Sequence, residues 1–461
     1  MKEKNPLIAP ELRDHLASGD SHILKDFCEE SHPAIVAEMV SALNAHEAWS
    51  VLGHARAPLR AEIFNHLPDD LQGDIIDTLN RGEIARLMSD LPPDDRADLF
   101  KRLPEERREA VLPALAQAER EDLRRLSAYR EGTAGAVMTS DYATLPPQLT
   151  AIQAIERLRE IAPDKETIYY AYVLDDQRKL LGFVSLKDLI LARRESRVGD
   201  IMHRDVIFAR SDEDQETAAR KIQKFDLLAL PVINGKDAMV GIITHDDALD
   251  VITQEHTEDM EKFMAIAGRH EAGAYLRTPA WVHFKNRAYW IVALAALGLI
   301  SGLIIHRFEA TLMHMLILAL YMPMVADTGG NTGSQSATVI VRALALGEIT
   351  QSDFFRILFK EFKISLLLSL VLGILSWAKV MFLSSGSDMV VGFSLARVGA
   401  VIAAALALQV ITATLIGALL PLGAARLKWD PAVVASPALT TIVDITGMLI
   451  YFSSAKLLLG V

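Results

Sequence analysis

Residues 437–459 have the sequence PALTTIVDITGMLIYFSSAKLLL, an apolar run of membrane-helix length that contains one carboxylate, Asp444. A charged side chain at the centre of a bilayer costs about 3 kcal/mol or more, so such an acid usually faces a bundle interior or a water-filled cavity. The segment therefore predicts a membrane helix with an ion path beside Asp444. The alternative is a protonated or paired acid that only fixes the packing of the helices.

Charged residues divide the chain into two parts of opposite net charge. Of the 461 residues, 51% are hydrophobic, which is high for a soluble protein. From Trp281 onward there are 12 basic and 8 acidic residues, whereas the preceding part has 35 basic and 51 acidic residues. We therefore expect an acidic soluble half followed by a membrane half. The acidic half favours divalent cations or basic partners and disfavours nucleic acid, which needs a basic surface.

The cysteine content and the N-terminal sequence bear on the compartment. Cys28 is the single cysteine, which excludes an intrachain disulfide and fits a reducing compartment. Residues 1–15 lack the apolar core of a secretory signal peptide. We therefore expect the first membrane helix to direct insertion and the soluble half to remain in the cytoplasm.

Residues 1–132 have the pattern of a domain of short helices. A proline followed by two acids recurs in Pro68-Asp69-Asp70, Pro93-Asp94-Asp95 and Pro104-Glu105-Glu106. Proline suits the first turn of a helix, where its missing N–H would have no partner, and acids there complement the helix dipole. The recurrence predicts an all-α superhelical N domain. These acids are helix starts, with cation binding as the open alternative.

Residues 133–196 and 197–254 are two copies of one α/β unit. Each copy runs helix, strand, strand, helix. Each also has a landmark where a strand leads into a helix, GFVSLKD at residues 182–188 and GIITHDD at residues 241–247. This repeated order resembles a pair of CBS domains.

The two landmarks are candidate nucleotide sites. In CBS pairs this pattern can hold a nucleotide such as ATP, and Asp188 and Asp247 would then contact ribose hydroxyls. Ser185 and Thr244 would lie near phosphate, where the start of a helix offers free N–H groups. The alternative is that both hydroxyl residues are plain N-caps with an acid in the first turn.

Residues 255–279 are expected to form an amphipathic helix that connects the CBS pair to the membrane. The helical run that leads into it, from Asp246 onward, is acidic along much of its length. The acids at helical spacing are Asp246, Asp247, Asp250, Glu255, Glu258, Asp259 and Glu261. Like charges three or four residues apart repel each other, and a divalent cation with oxygen ligands would relieve that repulsion. A solvated acidic face is the alternative.

Residues 280–461 contain five apolar segments of membrane-helix length. They lie at about 281–305, 312–346, 359–383, 390–422 and 433–459. Basic residues concentrate before the first segment and in the second-to-third and fourth-to-fifth connections, which places these connections in the cytoplasm. We therefore expect an α-helical bundle of five spans in the cell inner membrane, in contact with lipid, with the C-terminus outward.

The second apolar segment contains a polar run, GGNTGSQ at residues 329–335. Such residues are poor formers of continuous helix, so we expect the helix to loosen here and to present carbonyls and small polar groups to a pore. Irregular backbone at membrane depth is tolerated only where it is buried in protein or lines a water-filled cavity. The alternative is close packing of helices at small residues.

Two motifs together produce a family resemblance. The run GGNTGSQSATVIVRAL from Gly329 and the run WDPAVVASPALTTIVDITGMLIYFS from Trp429 follow a CBS pair, and the whole chain resembles the MgtE family of magnesium channels and transporters. The resemblance implies a homodimer whose pore lies on the two-fold axis, lined chiefly by the second and fifth spans. It implies that Asp444 of each subunit forms the main Mg²⁺ site and that Asn331 is its polar counterpart. Further pore candidates are Gly330, Ser436 and Thr440.

The chemistry of the ion agrees with this arrangement. Mg²⁺ dehydrates reluctantly and prefers carboxylate, carbonyl and water oxygens, so two facing carboxylates would hold a largely hydrated ion. The chain departs from the family pattern at Ser436, where the family often has Asn. Asp327, just before the glycines, is not required by the motif.

The resemblance also implies a feedback gate. Cytosolic Mg²⁺ would bridge acids of the N domain, the CBS pair and the connecting helix and so hold the pore closed. Without Mg²⁺, repulsion among these acids would separate the domains. The matching candidates are Asp95, Asp98, Asp226, Asp246, Asp247, Asp250, Glu255, Glu258 and Asp259.

Two other functions remain open at this point. One is a pore for another divalent cation such as Mn²⁺ or Co²⁺, although the absence of a Cys or His cluster near Asp444 favours a hard ion. The other is a CBS-bearing membrane sensor without transport. We do not expect an enzyme, because the sequence has no Walker loop, nucleophile–base constellation or His–Cys metal spacing.

Overall fold

The structure is a computed structural model that describes residues 9–264, 266, 278–386, 393–431 and 437–460. These residues fall into two compact units, one with the described residues up to Glu255 and one with those from His256 onward. The described strands all lie in the first unit, and the second unit is built from helices.

The N-terminal part of the first unit is a superhelix of short helices. They are α1 (Ala9–Ser18), α2 (Ser21–Glu30), α3 (Pro33–Val40), α4 (Ala45–Leu52), α5 (Ala57–His66), α6 (Asp69–Thr78), α7 (Arg81–Asp90), α8 (Pro93–Arg102), α9 (Glu105–Val111) and α10 (Gln117–Ser127), with a 3₁₀ turn at Leu112–Ala114. Helices two apart pack on each other, as α3 does on α5, α5 on α7 and α8 on α10. The predicted all-α superhelix is confirmed.

A buried leucine followed by proline separates several of these helices. Leu67, Leu91 and Leu103 end α5, α7 and α8 in extended conformation, and all three are buried. The following proline fixes φ at the value that a new helix needs. The leucine therefore anchors each connection in the core while the next two acids start the next helix.

One apolar core joins the superhelix to the second CBS copy. Leu87 and Leu99 of the superhelix belong to the same buried cluster as Leu230, Ile243 and Val251. Burial of apolar surface stabilises by about 25 cal/mol per Å². The two parts therefore form a single packed body rather than separate domains on a linker.

The rest of the first unit contains two three-stranded sheets of the same topology. β1 (Tyr142–Leu145), β2 (Thr167–Leu174) and β3 (Leu180–Ser185) form one sheet, and β4 (Ala209–Arg210), β5 (Ala229–Ile233) and β6 (Met239–Thr244) form the other. In each sheet the first two strands are parallel and the last two antiparallel. The accompanying helices are α11 (Ala151–Ile161), α12 (Leu186–Leu191), α13 (Val198–Ile201) and α14 (Gln215–Phe225).

The predicted α/β pair is therefore confirmed, with one addition. Each copy gains a first strand, β1 or β4, that the sequence pattern did not predict. These strands have 4 and 2 residues, which is too short for alternation of apolar and polar side chains to become visible.

Helix α15 (His245–Phe263) follows β6 directly and passes from the first unit into the second. The acidic helix therefore begins inside the second CBS copy, earlier than the predicted connecting segment 255–279. Of that segment, residues 265 and 267–277 lie outside the described residues.

The second unit consists of long helices. They are α16 (Ala280–Arg307), α17 (Glu309–His314), α18 (Leu316–Ala345), α19 (Phe354–Leu383), α20 (Leu395–Arg426) and α21 (Pro437–Leu459). Helix α20 is central, because it packs on α18, α19 and α21. Its buried residues include Ala405, Ala413 and Ala418, and such small side chains allow the neighbouring helices to approach closely.

Among the described residues, four helical segments are long and apolar enough to cross a membrane: Ala280–Arg307, Gln351–Leu383, Leu395–Arg426 and Ala438–Leu459. Helix α18 has 30 residues, a length of about 45 Å, and it packs on both α20 and α21. Its polar run lowers its hydropathy below that of the other four. The described residues thus support the predicted five spans only approximately, and the chain is a multi-pass membrane protein.

The expectation that the second span loosens at its glycines is wrong. Helix α18 continues without interruption from Leu316 to Ala345, with Pro323 inside it. The Thr332 hydroxyl donates to the carbonyls of Thr328 and Gly329, at 3.0 and 3.1 Å, within the helix. Close packing explains Gly333, because a Cβ added there would lie 3.1 Å from the Ala413 carbonyl oxygen of α20.

Candidate metal sites

Helix α18 has one buried and one exposed face. The buried face contains Gly329, Gly333 and Ser336, which lie against the bundle. The exposed face contains Asp327, Asn331 and Gln335 at intervals of four residues. Residues four apart lie above one another on a helix, so these polar side chains form a continuous stripe, named here the α18 stripe.

Helix α21 brings Asp444 to the edge of this stripe. Asp444 is partly exposed, and it lies close enough to Asp327 for the two carboxylates to repel each other. One turn earlier, a Cβ added at Gly330 would lie 3.9 Å from Cγ2 of Thr440. The seam between α18 and α21 therefore contains four of the predicted or noted polar positions: Asp327, Gly330, Thr440 and Asp444.

Two of the predicted pore residues, Asn331 and Ser436, are not among these four positions. Asn331 lies on the exposed α18 stripe, one residue beyond the contact of Gly330 with Thr440. Ser436 lies outside the described residues. Sequence reasoning also missed Gln409 of α20, whose fully buried amide Nε2 donates to the carbonyl of Val443 at 2.8 Å.

A second group of acids lies in the first unit, around the start of α8. Asp94 and Asp95 occupy the first turn of α8, after Pro93. Burial, followed by repulsion from Asp95, Asp247 and Glu166, raises the pKa of Asp94 well above its usual range. Among the described residues, no donor reaches the buried Oδ1 of Asp94. This carboxylate oxygen is therefore one to which a cation could bind.

The carboxyl groups near Asp94 also have raised pKa values, for the same reason. Burial raises the pKa of Asp95 to about 6, although Asn65 Nδ2 donates to Asp95 Oδ2 at 2.7 Å and opposes the shift. Burial likewise raises the pKa of Asp247 to about 6, against a 2.5 Å hydrogen bond from the Thr244 hydroxyl. Repulsion by Asp246 adds to the shift at both residues.

Glu166 completes this group, and sequence reasoning missed it. Burial raises its pKa to about 7, with further repulsion from Asp247, Asp246 and Asp95. Glu166 directly precedes β2, and its backbone N–H donates to the carbonyl of Asp141 at 3.0 Å. A lone acid before a strand has no sequence signature. Asp94, Asp95, Glu166, Asp246 and Asp247 are called the buried acid group below, after the buried Oδ1 of Asp94. Glu166 and Asp246 lie at its exposed edge.

The buried acid group fits a hydrated divalent cation better than a closed metal cage. Among the described residues, no three Asp, Glu, His or Cys side chains are arranged to hold a metal ion directly. Mg²⁺ usually keeps several waters and binds through one or two carboxylates. The orphaned Oδ1 of Asp94 and the mutual repulsion of its neighbours are the features that a cation would relieve.

The other predicted regulatory acids are spread over the surface. Asp98 is exposed and pairs with Lys101 at 3.1 Å, and Asp226 ends α14 in left-handed conformation with φ of 50°. Glu255 accepts a hydrogen bond from Gln215 Nε2 at 2.6 Å. Asp250 and Asp259 lie on α15, exposed and half-buried respectively. Repulsion by Asp98 contributes to the raised pKa of Asp95.

The last predicted regulatory acid, Glu258, is part of an ion pair in the second unit. Lys262 Nζ lies 2.8 Å from Glu258 and 3.1 Å from Asp430, which follows α20. Burial lowers the pKa of Lys262, but its hydrogen bonds to the two carboxylates outweigh that effect and raise it. The next residue, Phe263, packs on the buried cluster that includes Val443. The end of α15 is thus attached to the helices around Asp444.

Of the candidate nucleotide residues, Ser185 and Asp188 form a helix cap, and the Thr244 hydroxyl donates to Asp247. Ser185 Oγ donates to Asp188 Oδ2 at 2.6 Å and accepts from the Asp188 N–H at 3.0 Å. Nε2 of His203 lies 3.1 Å from the same carboxylate oxygen, and the ring of His203 stacks on Phe183. Burial raises the pKa of Asp188, but these hydrogen bonds lower it by more. Ser185 is therefore an N-cap, as in the alternative given above, and the Asp188 carboxylate is in contact with His203.

Comparison with known proteins covers both units. The "Divalent cation transporter" family MgtE matches residues 322–454, the MgtE intracellular N domain matches residues 31–132, and the CBS domain matches residues 134–195 and 198–254. The chain is 36% identical to the magnesium transporter MgtE of Thermus thermophilus, over 100% of this chain and 99% of that protein. It is 35% identical to the magnesium transporter MgtE of Bacillus subtilis, over 86% and 84%.

A solved structure agrees with the first unit. The crystal structure of the soluble part of a magnesium transporter is 27% identical, covers 53% of this chain and 97% of its own, and superposes with a TM-score of 0.51. This similarity concerns the soluble half of the fold.

Proposed function

Because the chain belongs to the MgtE family of divalent cation transporters, we propose that it transports Mg²⁺ across the cell inner membrane through a path beside Asp444. Transport, and not catalysis, is the proposed activity. Mg²⁺ is the cargo, and the seam between α18 and α21 is the proposed site of its passage.

The observation that supports this proposal is the exposure of the α18 stripe. Asp327 and Asn331 are exposed and Asp444 is partly exposed, although the helices around them are apolar enough to cross a membrane. Charged and amide groups are strongly disfavoured against lipid. Something polar must therefore cover this face, and a second copy of the chain with water between the two copies would do so. We propose a homodimer with the path on its axis.

In the proposed path, the protein interacts with Mg²⁺ through the water shell of the ion. Two Asp444 carboxylates, one from each copy, would attract a hydrated Mg²⁺ without removing its water shell, with Asn331, Gly330, Thr440 and Ser436 as further polar positions. Oxygen ligands suit a hard ion. Selectivity would then depend on the size of the path and the number of oxygens.

Uptake of Mg²⁺ into vesicles containing the purified chain tests the proposal. We expect uptake that saturates with Mg²⁺ and exceeds that of protein-free vesicles. Competition by Mn²⁺ and Co²⁺ measures the alternative cargo, and uptake of either ion in preference to Mg²⁺ would replace Mg²⁺ in the proposal. If no divalent cation enters under any cytosolic Mg²⁺ or nucleotide condition, the chain is a sensor without transport.

The proposed topology follows from the basic connections. The soluble domains lie in the cytoplasm and the C-terminus faces outward, with the domain division 1–132, 133–196, 197–254, 255–279 and 280–461. Arg426 and Lys428 in the fourth-to-fifth connection then face the cytoplasm, as the positive-inside rule requires.

We also propose that cytosolic Mg²⁺ closes the path through the buried acid group. Asp94 and Asp95 of the superhelix, Glu166 of the first CBS copy and Asp246 and Asp247 of the second copy repel one another. A bound cation would favour their close approach, and its removal would favour separation. The remaining regulatory candidates, Asp98, Asp226, Asp250, Glu255, Glu258 and Asp259, would extend this response along the surface and α15.

The contacts of Lys262 and Phe263 offer a route from this sensor to the path. Lys262 bridges Glu258 of α15 and Asp430 after α20, and Phe263 packs near Val443, the residue before Asp444. A movement of α15 would therefore act on the helices that hold Asp444.

We propose, finally, that ATP binds the first CBS copy when Asp188 releases His203. Asp188→Ala should weaken ATP binding to the full chain at least about tenfold, because hydrogen bonds to a charged group contribute about 1.5–3 kcal/mol. His203→Ala should strengthen it, since Asp188 is then free for a ribose. Isothermal titration in detergent measures both effects.

Asp200→Ala is the matched control, because Asp200 is an exposed acid in the same region of the chain. Equal ATP affinity in the wild type, Asp188→Ala and Asp200→Ala would show that ATP does not bind at Asp188. An effect of Thr244→Ala alone would move the nucleotide to the second copy.

A further inference from the structure

Gln409 is a polar residue at the centre of the membrane unit. It lies in the middle of α20, and its side chain is completely buried. Its Nε2 donates to the Val443 carbonyl oxygen at 2.8 Å, and its Oε1 lies 3.4 Å from the Thr412 hydroxyl. A buried amide needs partners for its polar atoms. The short hydrogen bond of Gln409 is the one from Nε2 to Val443, because the Thr412 hydroxyl lies nearer, at 3.0 Å, to the carbonyls of Leu408 and Gln409.

The amide of Gln409 fills a space formed by two glycines on different helices. A Cβ added at Gly329 of α18 would lie 2.5 Å from Nε2 and 2.9 Å from Cγ of Gln409. A Cβ added at Gly447 of α21 would lie 2.6 Å from Nε2 and 2.9 Å from Cδ. The side chain therefore sits between the two helices that form the seam beside Asp444, and neither helix could approach it with a larger residue.

The hydrogen bond holds the peptide group next to Asp444. The Val443 carbonyl belongs to the peptide bond that links Val443 to Asp444, and it also accepts from the Thr446 hydroxyl at 3.1 Å. Fixing this peptide fixes the direction in which the Cα–Cβ bond of Asp444 leaves the helix. A wedge against Gly329 sets the position of α18 relative to the same point.

We propose that Gln409 is a positioning residue for ion passage: its amide sets the separation of α18 and α21 and the direction of the Asp444 carboxylate. This inference rests on the proposed function, in which Asp444 is the Mg²⁺ site. Gln409 does not touch the ion. It acts through the Val443 peptide and the two glycines.

The first test replaces the amide while keeping the length of the side chain. Gln409→Met retains an unbranched chain that can fill the space between the glycines but removes the donor to Val443. Thr414→Val is the matched control, because Thr414 is a buried polar residue of the same helix whose hydroxyl donates within α20, to Val410 at 2.7 Å. Mg²⁺ uptake is measured at varied Mg²⁺, together with Mn²⁺ uptake and the thermal unfolding of the purified protein.

A positioning role and a merely structural role give different results. We expect Gln409→Met to shift the half-saturating Mg²⁺ concentration and the Mg²⁺-to-Mn²⁺ ratio by about 3- to 10-fold, the effect of about one hydrogen bond, with a thermal midpoint close to that of Thr414→Val. If Gln409→Met changes only the amount or thermal midpoint of folded protein, and half-saturation and ion preference stay as in the wild type, the inference is wrong.

A size exchange separates the wedge from the hydrogen bond. Gly447→Ala alone collides with Gln409 and should lower the thermal midpoint of the protein. Adding Gln409→Ala removes the collision, so the double variant should recover stability but keep the altered half-saturation of a protein without the amide. Full recovery of wild-type half-saturation in the double variant would show that only space matters, and that would also overturn the proposal.

Mg²⁺ transport by the wild type and by Asp444→Asn shows whether a failure concerns this inference or the proposed function. If the wild type transports Mg²⁺ and Asp444→Asn does not, normal behaviour of Gln409→Met contradicts the positioning role alone. If the wild type transports no divalent cation, the proposed function fails and the positioning role fails with it.

Discussion

Asp444→Asn is expected to reduce Mg²⁺ uptake by about 100-fold or more at low Mg²⁺. The change keeps the size of the side chain and removes one negative charge per copy from the seam between α18 and α21. An attraction of about 3 kcal/mol between a carboxylate and a divalent ion at this depth corresponds to a factor of about 100 in binding. A magnesium-sensitive dye inside vesicles measures the uptake.

Asp327→Asn is the matched control for this prediction. Asp327 is also an acid of the membrane unit, and it lies close enough to Asp444 for the two charges to repel. Both acids lie at the seam, but Asp327 is exposed whereas Asp444 is partly enclosed. We expect a much smaller loss from Asp327→Asn, and Asp444→Glu should retain part of the uptake because it keeps the charge. Unchanged uptake by both Asp444→Asn and Asp444→Ala would mean that the ion passes elsewhere.

Replacing three members of the buried acid group is expected to abolish the dependence of uptake on cytosolic Mg²⁺. The variant is Asp94→Asn, Asp95→Asn and Asp247→Asn in one chain. Without these three charges most of the repulsion and the proposed cation site are lost, so Mg²⁺ can no longer distinguish the separated state from the close one. Limited trypsin digestion of the full chain should be about tenfold slower with millimolar Mg²⁺ in the wild type and unaffected by Mg²⁺ in the variant.

Acid pH should imitate Mg²⁺ in the wild type. The pKa values of Asp95 and Asp247, each about 6, and of Glu166, about 7, are raised in the close arrangement above the ordinary values of free carboxyl groups. The stability that protonation provides is therefore fully present below about pH 4 and is lost as the pH rises through 6 to 7. Without Mg²⁺, the digestion rate of the wild type divided by that of the triple variant at the same pH should be close to one at pH 5.5 and well above one at pH 8, because this ratio cancels the pH dependence of trypsin itself.

Two further variants locate the effect. Asp69→Asn with Asp70→Asn is the matched control, because these acids start α6 after Pro68 just as Asp94 and Asp95 start α8 after Pro93, yet Asp69 is exposed and paired with Arg102. It should behave as the wild type. Lys262→Met should keep the Mg²⁺ response of digestion but weaken the Mg²⁺ response of uptake. If the triple variant retains both responses, the buried acid group is not the sensor.

The sequence predicted the architecture well wherever a local pattern was long enough. Proline followed by acids predicted the superhelix, the repeated strand-to-helix landmarks predicted the CBS pair, and the acid in an apolar run singled out Asp444. Each of these patterns depends on neighbours along the chain, which the sequence displays directly. The two short strands β1 and β4 were missed because 4 and 2 residues are too few to show a period.

The polar run of α18 shows where sequence reasoning failed. Clustered Gly, Thr and Asn residues lowered the expected stability of the helix, but helix propensity is a weak tendency that tertiary contacts override. In the structure Gly329 and Gly333 lie against α20, and the polar residues Asp327 and Asn331 lie on the opposite, exposed face. The residues for close packing and the polar residues therefore lie on different faces of the same helix.

By itself, the sequence determined which segments are soluble, which are apolar enough for a membrane, and which residue types are available for a cation. Only the tertiary structure decided which of them meet. Asp69 and Asp94 follow the same kind of proline-acid start, but only Asp94 is enclosed by Asp247 and Glu166. Gln409 has no motif at all, yet it lies between Gly329 and Gly447. The physical reason is that burial and repulsion depend on distances in space between residues far apart in the chain, which no local pattern contains.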